Sequence, residues 1–460
     1  MVPKRLEPIL NEVKPLAEAF ATAGFKLYLV GGIVRDLLLG RELSQPDLDF
    51  TTDATPPDIK AVLSPLADAI WDQGIKFGTI AARFGERSYE ITTHRGESYS
   101  ADSRKPTVEF STDIEADLAR RDFTVNAMAL AVPEPRLIDP FGGAEDLVRK
   151  RLRTPFSPAM SFGDDPLRMM RAARFIAGYG LVPEEGLVEA VVAMKDRLGI
   201  VSAERVRDEL NKLLVVDDPS AGLWFLVDTG LSDQFLPEMR ALRLEQDPIH
   251  RHKDVLTHTI AVVAKTRPER IVRLAALMHD VGKPRTRTIT DSGVAFHHHE
   301  VVGARMTRKR LTELRYAKDE VDAVTALVAM HLRFHTYQMG WTDAAVRRFV
   351  RDAGPLLPEL IELTRCDSTT RNKRKADALA ARMDELEQRI GELQAKEELA
   401  SIRPGLDGRA VMDLLGLKPG PMVGEAMNFL LEIRLEEGPK DEETLKNQLL
   451  EWWAEHRSET

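Results

Sequence analysis

Hydrophobic patterning in this 460-residue chain changes once, near residue 149. Before it, short apolar or alternating runs are punctuated by glycine. Lys26 to Val30 reads as a strand, Gly31-Gly32 as a turn, and Ile33 to Leu39 as a helix closed by Gly40. Leu48-Asp49-Phe50-Thr51 and Tyr89-Glu90-Ile91-Thr92 alternate as further strands. From Arg149 onward helical spacing takes over, as in Met169, Met170, Ala173 and Ile176, and in Val206, Leu210, Leu213 and Leu214. A mixed α and β region followed by helices is an α+β chain. At roughly 150 residues per domain its length suggests about three domains.

Chemistry enters at the glycine turn. Glycines between a strand and a helix let backbone N–H groups approach a phosphate, and the helix N-terminus favours its charge. Alone the turn is a weak signal. Asp47 and Asp49 follow it, two apart on an expected strand, so their carboxylates share a face. Crowded carboxylates repel unless a cation lies between them, and hard oxygen ligands suit Mg²⁺ bridged to substrate phosphates. Glu90, on a later strand, is a candidate third acid for in-line displacement at phosphorus. Without the turn, a solvated strand edge would explain the aspartates equally well.

These residues also carry a resemblance. Leu29-Val30-Gly31-Gly32-Ile33-Val34-Arg35-Asp36-Leu37-Leu38-Leu39-Gly40, then Asp47-Leu48-Asp49, resembles the opening motif of class II tRNA nucleotidyltransferases. These are CCA-adding enzymes that share their head with bacterial poly(A) polymerases. Arg120-Arg121-Asp122-Phe123-Thr124-Val125-Asn126 resembles the ribose- and triphosphate-contacting motif, and Asp139-Pro140-Phe141-Gly142-Gly143 the hinge between head and neck. Asp165-Pro166-Leu167-Arg168, with Arg171 and Arg174, resembles the base-selecting motif, and Glu204-Arg205 with Glu209 a neck-supporting one. Asp164 stands where relatives often carry Glu. The resemblance implies a polymerase-beta-like nucleotidyltransferase head with a mixed sheet, and a two-metal Mg²⁺ mechanism. It implies tRNA, CTP and ATP as partners. Nucleotide-binding residues would be Gly31, Gly32, Arg35, Arg120, Arg121, Asp122, Asn126, Asp165, Arg168, Arg171 and Arg174.

The residue types agree with those roles. Arg120 and Arg121 can neutralise a triphosphate, while Asp122 and Asn126 can bond a sugar hydroxyl or hold the arginines. Asp165 and Arg168, three apart on an expected helix, would share a face. A carboxylate beside a guanidinium suits the amine edge that cytosine and adenine share, and that uracil and guanine lack. By the same resemblance, the stretch Gly74-Ile75-Lys76-Phe77-Gly78 and an undeleted loop from Gly96 to Thr112 look like those of complete CCA-adding enzymes rather than CC-only or poly(A)-adding ones, with A-only addition left open.

Histidines mark a second centre. Nine of eleven lie between His250 and His335. Histidine and aspartate ligands without cysteine suit a hydrolytic divalent site better than structural zinc. His258, the His279-Asp280 doublet and Asp367 resemble the ligand series of HD-domain phosphohydrolases. By that resemblance those four bind a divalent transition metal or Mg²⁺. His299 and His331 would bind a second ion or hold phosphate, and Lys283 would meet a substrate phosphate.

These readings predict a nucleotidyltransferase head over 1–148, a helical neck over 149–245, an HD domain over 246–385 and a helical C-terminal segment over 386–460. Met383, Leu386, Ile390 and Leu393 predict an amphipathic helix packed on its own domain. The competing functions are poly(A) polymerase, or an HD hydrolase with an RNA-binding head. A lone cysteine, Cys366, and no apolar run near the roughly 20 residues of a membrane span suggest a cytoplasmic protein. The net charge of −9 argues weakly against nucleic acid, but it is unevenly placed: residues 149–213 carry 12 basic and 9 acidic groups.

Overall fold

The computed structural model describes residues 6–41, 47–72, 74–98, 107–244, 254–290, 293–336, 341–368, 373–397, 399 and 402–456. The loop residues Tyr99, Asp102, Arg104 and Pro106, and His250 and His252, lie outside the described residues. The chain forms two compact units, Met1–Arg240 and Ala241–Thr460.

The first unit holds a seven-stranded sheet. Its strands, among β1 (Leu27–Val30), β2 (Leu48–Thr52), β3 (Ala69–Trp71), β4 (Thr79–Phe84), β5 (Arg87–Thr93), β6 (Arg95–Ser98), β7 (Thr107–Phe110), β8 (Ala129–Val132) and β9 (Arg136–Ile138), run in the order β3-β4-β5-β2-β1-β8-β9. β6 and β7 make a separate antiparallel ribbon. The sheet is mixed: β2 pairs parallel with β5 and antiparallel with β1. Leu27, Leu29, Leu48, Phe50 and Ile91 are buried, so alternation along β2 leaves Asp49 on the open face. From Pro158 to Arg240 the unit is almost wholly helical, anchored by Met169, Met170, Phe175, Leu210 and Leu213 in its core.

Among its described residues the second unit is helical apart from one element that helical periodicity concealed, an antiparallel hairpin of Arg287–Thr290 with Gly293–Phe296. The expected boundary at 385/386 falls inside a 24-residue helix, Lys373–Lys396. Its stripe is buried at Met383, Leu386, Ile390 and Leu393. Arg347 and Arg434, on two helices, converge on Glu397, which is nearly enclosed just past the end of the Lys373–Lys396 helix. No described helix is long and apolar enough to cross a membrane.

Candidate functional sites

In the parallel pairing of β2 and β5, Asp49 stands in register with Glu90. Asp47 lies just before β2 and is exposed, as are Asp49 and Glu90. The protein around Asp49, the Glu90 carboxylate and Asp47 all raise its proton affinity, and Arg121 opposes them. Carboxylates are the ligand type that suits hard divalent cations, and Arg121 stands against these. Gly31 has φ 77°, a left-handed conformation, and a Cβ there would lie 3.4 Å from Arg121 Nη1 and 3.8 Å from Asp49 Oδ2. The glycine turn, Arg121 and Asp49 therefore meet at one place.

Arg120 and Arg121 share an anchor that was not anticipated. Asp117, fully buried, accepts from Arg120 Nε and Nη2 at 3.0 and 2.8 Å and from Arg121 Nη2 at 3.1 Å. Burial alone would raise its pKa, but the two guanidiniums hold it below the usual carboxylate range. Its i, i+3 and i, i+4 spacing to the arginines was the available signal. Behind the pair runs a buried chain: Arg171 donates to Asp122 Oδ2 at 2.5 and 2.7 Å, Asn126 to Asp122 Oδ1 at 3.0 Å, and Arg35 to Asn126 Oδ1 at 2.6 Å. Asp122 is likewise held low by Arg171 and Asn126, against its burial. Arg35 also bonds Asp36 and Tyr179. Asp122 and Asn126 thus act first as holders of arginines.

The Asp165–Arg168 expectation needs a correction. The two do not share a helical face. Asp165 is extended (φ −138°, ψ 104°) because it precedes Pro166, and the helix begins at Leu167. Its Oδ1 caps the Leu167 amide, and its Oδ2 accepts from Arg205 at 2.7 Å. Arg168 is buried and donates to Ser161 Oγ at 2.9 Å and to the Arg120 carbonyl at 2.5 Å. Arg174 pairs with Glu209, linking two helices. In the expected hinge, Asp139 accepts from the amides of Gly143 and Ala144, and buried Asp146 takes Arg151, Arg153 and Thr124.

In the second unit, His258 Nε2 lies 2.8 Å from Asp367 Oδ1 and 3.6 Å from Asp280 Oδ2. His279 Nε2 lies 3.3 Å from His258 Nε2 and 3.2 Å from Asp280. On the other side of Asp280, His299 Nε2 is 3.4 Å from its Oδ1 and 3.3 Å from His331 Nε2. His258, His279 and Asp280 form one group able to hold a metal ion, and Asp280, His299 and His331 another. The Nδ1 atoms of His279, His299 and His331 donate to the carbonyls of Ala276, Phe296 and Val328, turning every Nε2 inward. Lys283 Nζ reaches Asp280 Oδ2 at 2.7 Å. Burial works to lower His279, but Asp280 and Asp367 raise it to about 10, while burial and His279 push His331 down to about 4. This donor set of imidazoles and carboxylates fits divalent ions. His297 and His298 contribute to neither group.

A mixed-sheet head with paired carboxylates and arginines, joined in sequence to a helical unit with a histidine–aspartate centre, defines a nucleotidyltransferase with an HD domain. Family models agree: residues 27–153 match the poly A polymerase head domain, 180–242 the probable RNA- and SrmB-binding site of polymerase A, and 255–372 the HD domain. The A-adding tRNA nucleotidyltransferase of Deinococcus radiodurans is 37% identical over 423 residues, covering 88% of this chain and 91% of that one. The CCA-adding enzyme of Bacillus pumilus is 38% identical over 240 residues, covering 52% of this chain and 58% of the relative. A Bacillus stearothermophilus CCA-adding enzyme crystallised with CTP has the same fold, with TM-score 0.73, 24% identity and full coverage of both chains. The chain belongs to the tRNA nucleotidyltransferase family, and it is an enzyme of that class.

Proposed function

We propose that this chain completes tRNA 3′ ends, transferring CMP, CMP and AMP from CTP and ATP with release of pyrophosphate. The observation that carries this reading is the register of Asp49 with Glu90, beside Asp47 and facing Arg121 and the Gly31 turn. Bound Mg²⁺ would neutralise the triphosphate and lower the pKa of the attacking 3′-hydroxyl. Asp47, Asp49 and Glu90 would hold it. Arg121, fixed by Asp117, meets developing phosphate charge beside them. Asp165 presents a carboxylate to the amine of cytosine or adenine. Arg168 sets the backbone of Arg120 and so the arginine pair. The chain divides functionally into a catalytic head, a helical neck, an HD domain and a C-terminal helical segment that supports the tRNA body, and it works in the cytoplasm.

A second specificity has one observation in its favour: the relative matched over nearly its whole length is named A-adding. The test is a tRNA ending at its discriminator base, incubated with CTP, ATP or both, followed by 3′-end sequencing. Complete CCA with both nucleotides supports the proposal. Extension only of tRNA already ending in CC supports A-only addition. A long A tail on unstructured RNA would indicate a poly(A) polymerase.

In the second unit, Asp280 stands between two imidazole groups, which supports a divalent-metal phosphohydrolase that takes phosphate esters. Lys283 would offset substrate charge. Release of phosphate from a 2′- or 3′-nucleotide, lost in Asp280→Ala, is the check.

A further inference from the structure

We infer that Tyr179, at the end of the Leu167–Tyr179 helix, is a positioning residue: through Arg35 it orients the Asn126 amide that meets a sugar hydroxyl of the incoming nucleotide. The inference rests on the reading of the chain as a nucleotide-adding enzyme. It concerns how that site tells a ribonucleotide from a deoxynucleotide.

The bonds behind the arginine pair close into a ring. Arg171 and Tyr179 belong to one helix. Arg171 donates to Asp122 Oδ2, Asn126 donates to Asp122 Oδ1 at 3.0 Å, and Arg35 donates to Asn126 Oδ1 at 2.6 Å. Arg35 Nη2 then donates to the Tyr179 hydroxyl, back on the starting helix. The helix thus holds the Asp122–Asn126 pair from both ends. Arg35 is buried. Asp36 takes its Nε and Nη2 at 3.0 and 2.9 Å, which fixes the guanidinium edge. The Tyr179 ring, with its centre 4.1 Å from Cζ, covers the guanidinium face. Phe175 stacks on that ring at 5.3 Å, and Arg41 lies 4.3 Å from its centre while donating to the Gly178 carbonyl at 2.9 Å.

The ring of bonds leaves one donor unused. A guanidinium only donates and a carboxylate only accepts, so a single orientation of the Asn126 amide satisfies both Arg35 and Asp122. That orientation uses Oδ1 for Arg35 and one Nδ2 hydrogen for Asp122. The second Nδ2 hydrogen has no partner among the described residues. Asp122 is fully engaged: Oδ1 takes the Phe123 amide and Asn126, and Oδ2 takes Arg171 twice. Asn126 is therefore the member of the pair that can donate to a hydroxyl oxygen. Arg35, fixed by Tyr179, sets where that donor points. A site built to bond a substrate hydroxyl rejects the analogue lacking it, because its own polar group is then left unpaired. The same helix starts two residues after Asp165, so the sugar and base contacts share one support.

The test uses the full chain and a tRNA transcript lacking CCA. Addition of one nucleotide is measured with CTP, 2′-deoxy-CTP and 3′-deoxy-CTP, and kcat and KM are obtained for each. Where the parent extends only tRNA ending in CC, ATP and its deoxy analogues replace them. Tyr179→Leu should lower the preference for the ribonucleotide over one of the two analogues roughly tenfold, the size of one net hydrogen bond. The loss should fall on CTP and far less on that analogue. Tyr179→Phe keeps the ring over the guanidinium and loses only the hydroxyl, so it should lower the preference about threefold. In an Asn126→Ala background, Tyr179→Leu should change the preference no further, because both act on one donor. A fall in activity with the preference intact in both Tyr179 variants would overturn the inference and make Tyr179 a packing residue. So would additive losses in the double variant, or a parent that adds both analogues as readily as CTP. A parent that adds nothing refutes the function, whereas an active parent with indifferent Tyr179 variants refutes only the positioning.

Discussion

The head carboxylates and the HD centre are built in opposite ways. The head displays its carboxylates on an exposed strand face, with Asp47, Asp49 and Glu90 all open to solvent. The HD centre encloses His279, Asp280, His299 and His331 and fixes three imidazoles through carbonyl bonds to their own helices or hairpin. An open set of hard oxygens suits ions that arrive with each nucleotide, and a closed set of imidazoles suits a resident ion. The contrast explains how one chain can carry both: neither ligand set shares a residue with the other.

The largest effect should come from breaking the open centre. Asp47→Ala with Asp49→Ala should reduce nucleotide addition by on the order of 10³-fold, since metal stabilisation contributes several kcal/mol. Metal content of the purified chain should stay unchanged. Breaking the closed centre should do the reverse. A Cβ on Gly282 would lie 2.1 Å from the His299 carbonyl oxygen, and Asp280 lies in both ligand groups. Gly282→Ala and Asp280→Ala should each lose tightly held metal, measured by elemental analysis after dialysis, with addition within about twofold of the parent.

A smaller effect sharpens the head alone. Asp165→Ala should cut discrimination between CTP and UTP by roughly 10- to 100-fold, the 1–3 kcal/mol of one good base contact, in competition assays. The mildest concerns pH. Asp117 and Asp122 are held below their usual range. Depressed carboxylates contribute stability above their unfolded pKa of about 4, and lose it as pH falls through the folded values. Thermal melting should fall steeply as pH drops below about 4, less steeply in Asp122→Asn. A melting point that rises on acidification would contradict this.

How far the sequence reaches differs by region in the same way. The Gly31-Gly32 turn and the alternation through Asp49 are local signals, so strand and face were legible. The histidine series was legible as a set because ligand types cluster. What escaped depends on local conflict or on distance. Pro166 broke the helix expected to join Asp165 to Arg168. The hairpin at 287–296 was hidden in helical surroundings, although Asp291-Ser292-Gly293 is turn-like. The place of Asp280 between two imidazole groups is fixed by helices far apart in sequence, which no spacing rule reports.

The central claim is that polymerising chemistry belongs to the head carboxylates and is independent of the HD centre. It is tested most directly by 3′-end sequencing of a tRNA lacking CCA, after incubation with CTP, ATP and Mg²⁺. The parent, the Asp47→Ala/Asp49→Ala variant and Asp280→Ala are compared side by side. The account predicts complete CCA ends from the parent and from Asp280→Ala, and unextended tRNA from the double variant. Extension by the double variant, or its loss in Asp280→Ala alone, would contradict it.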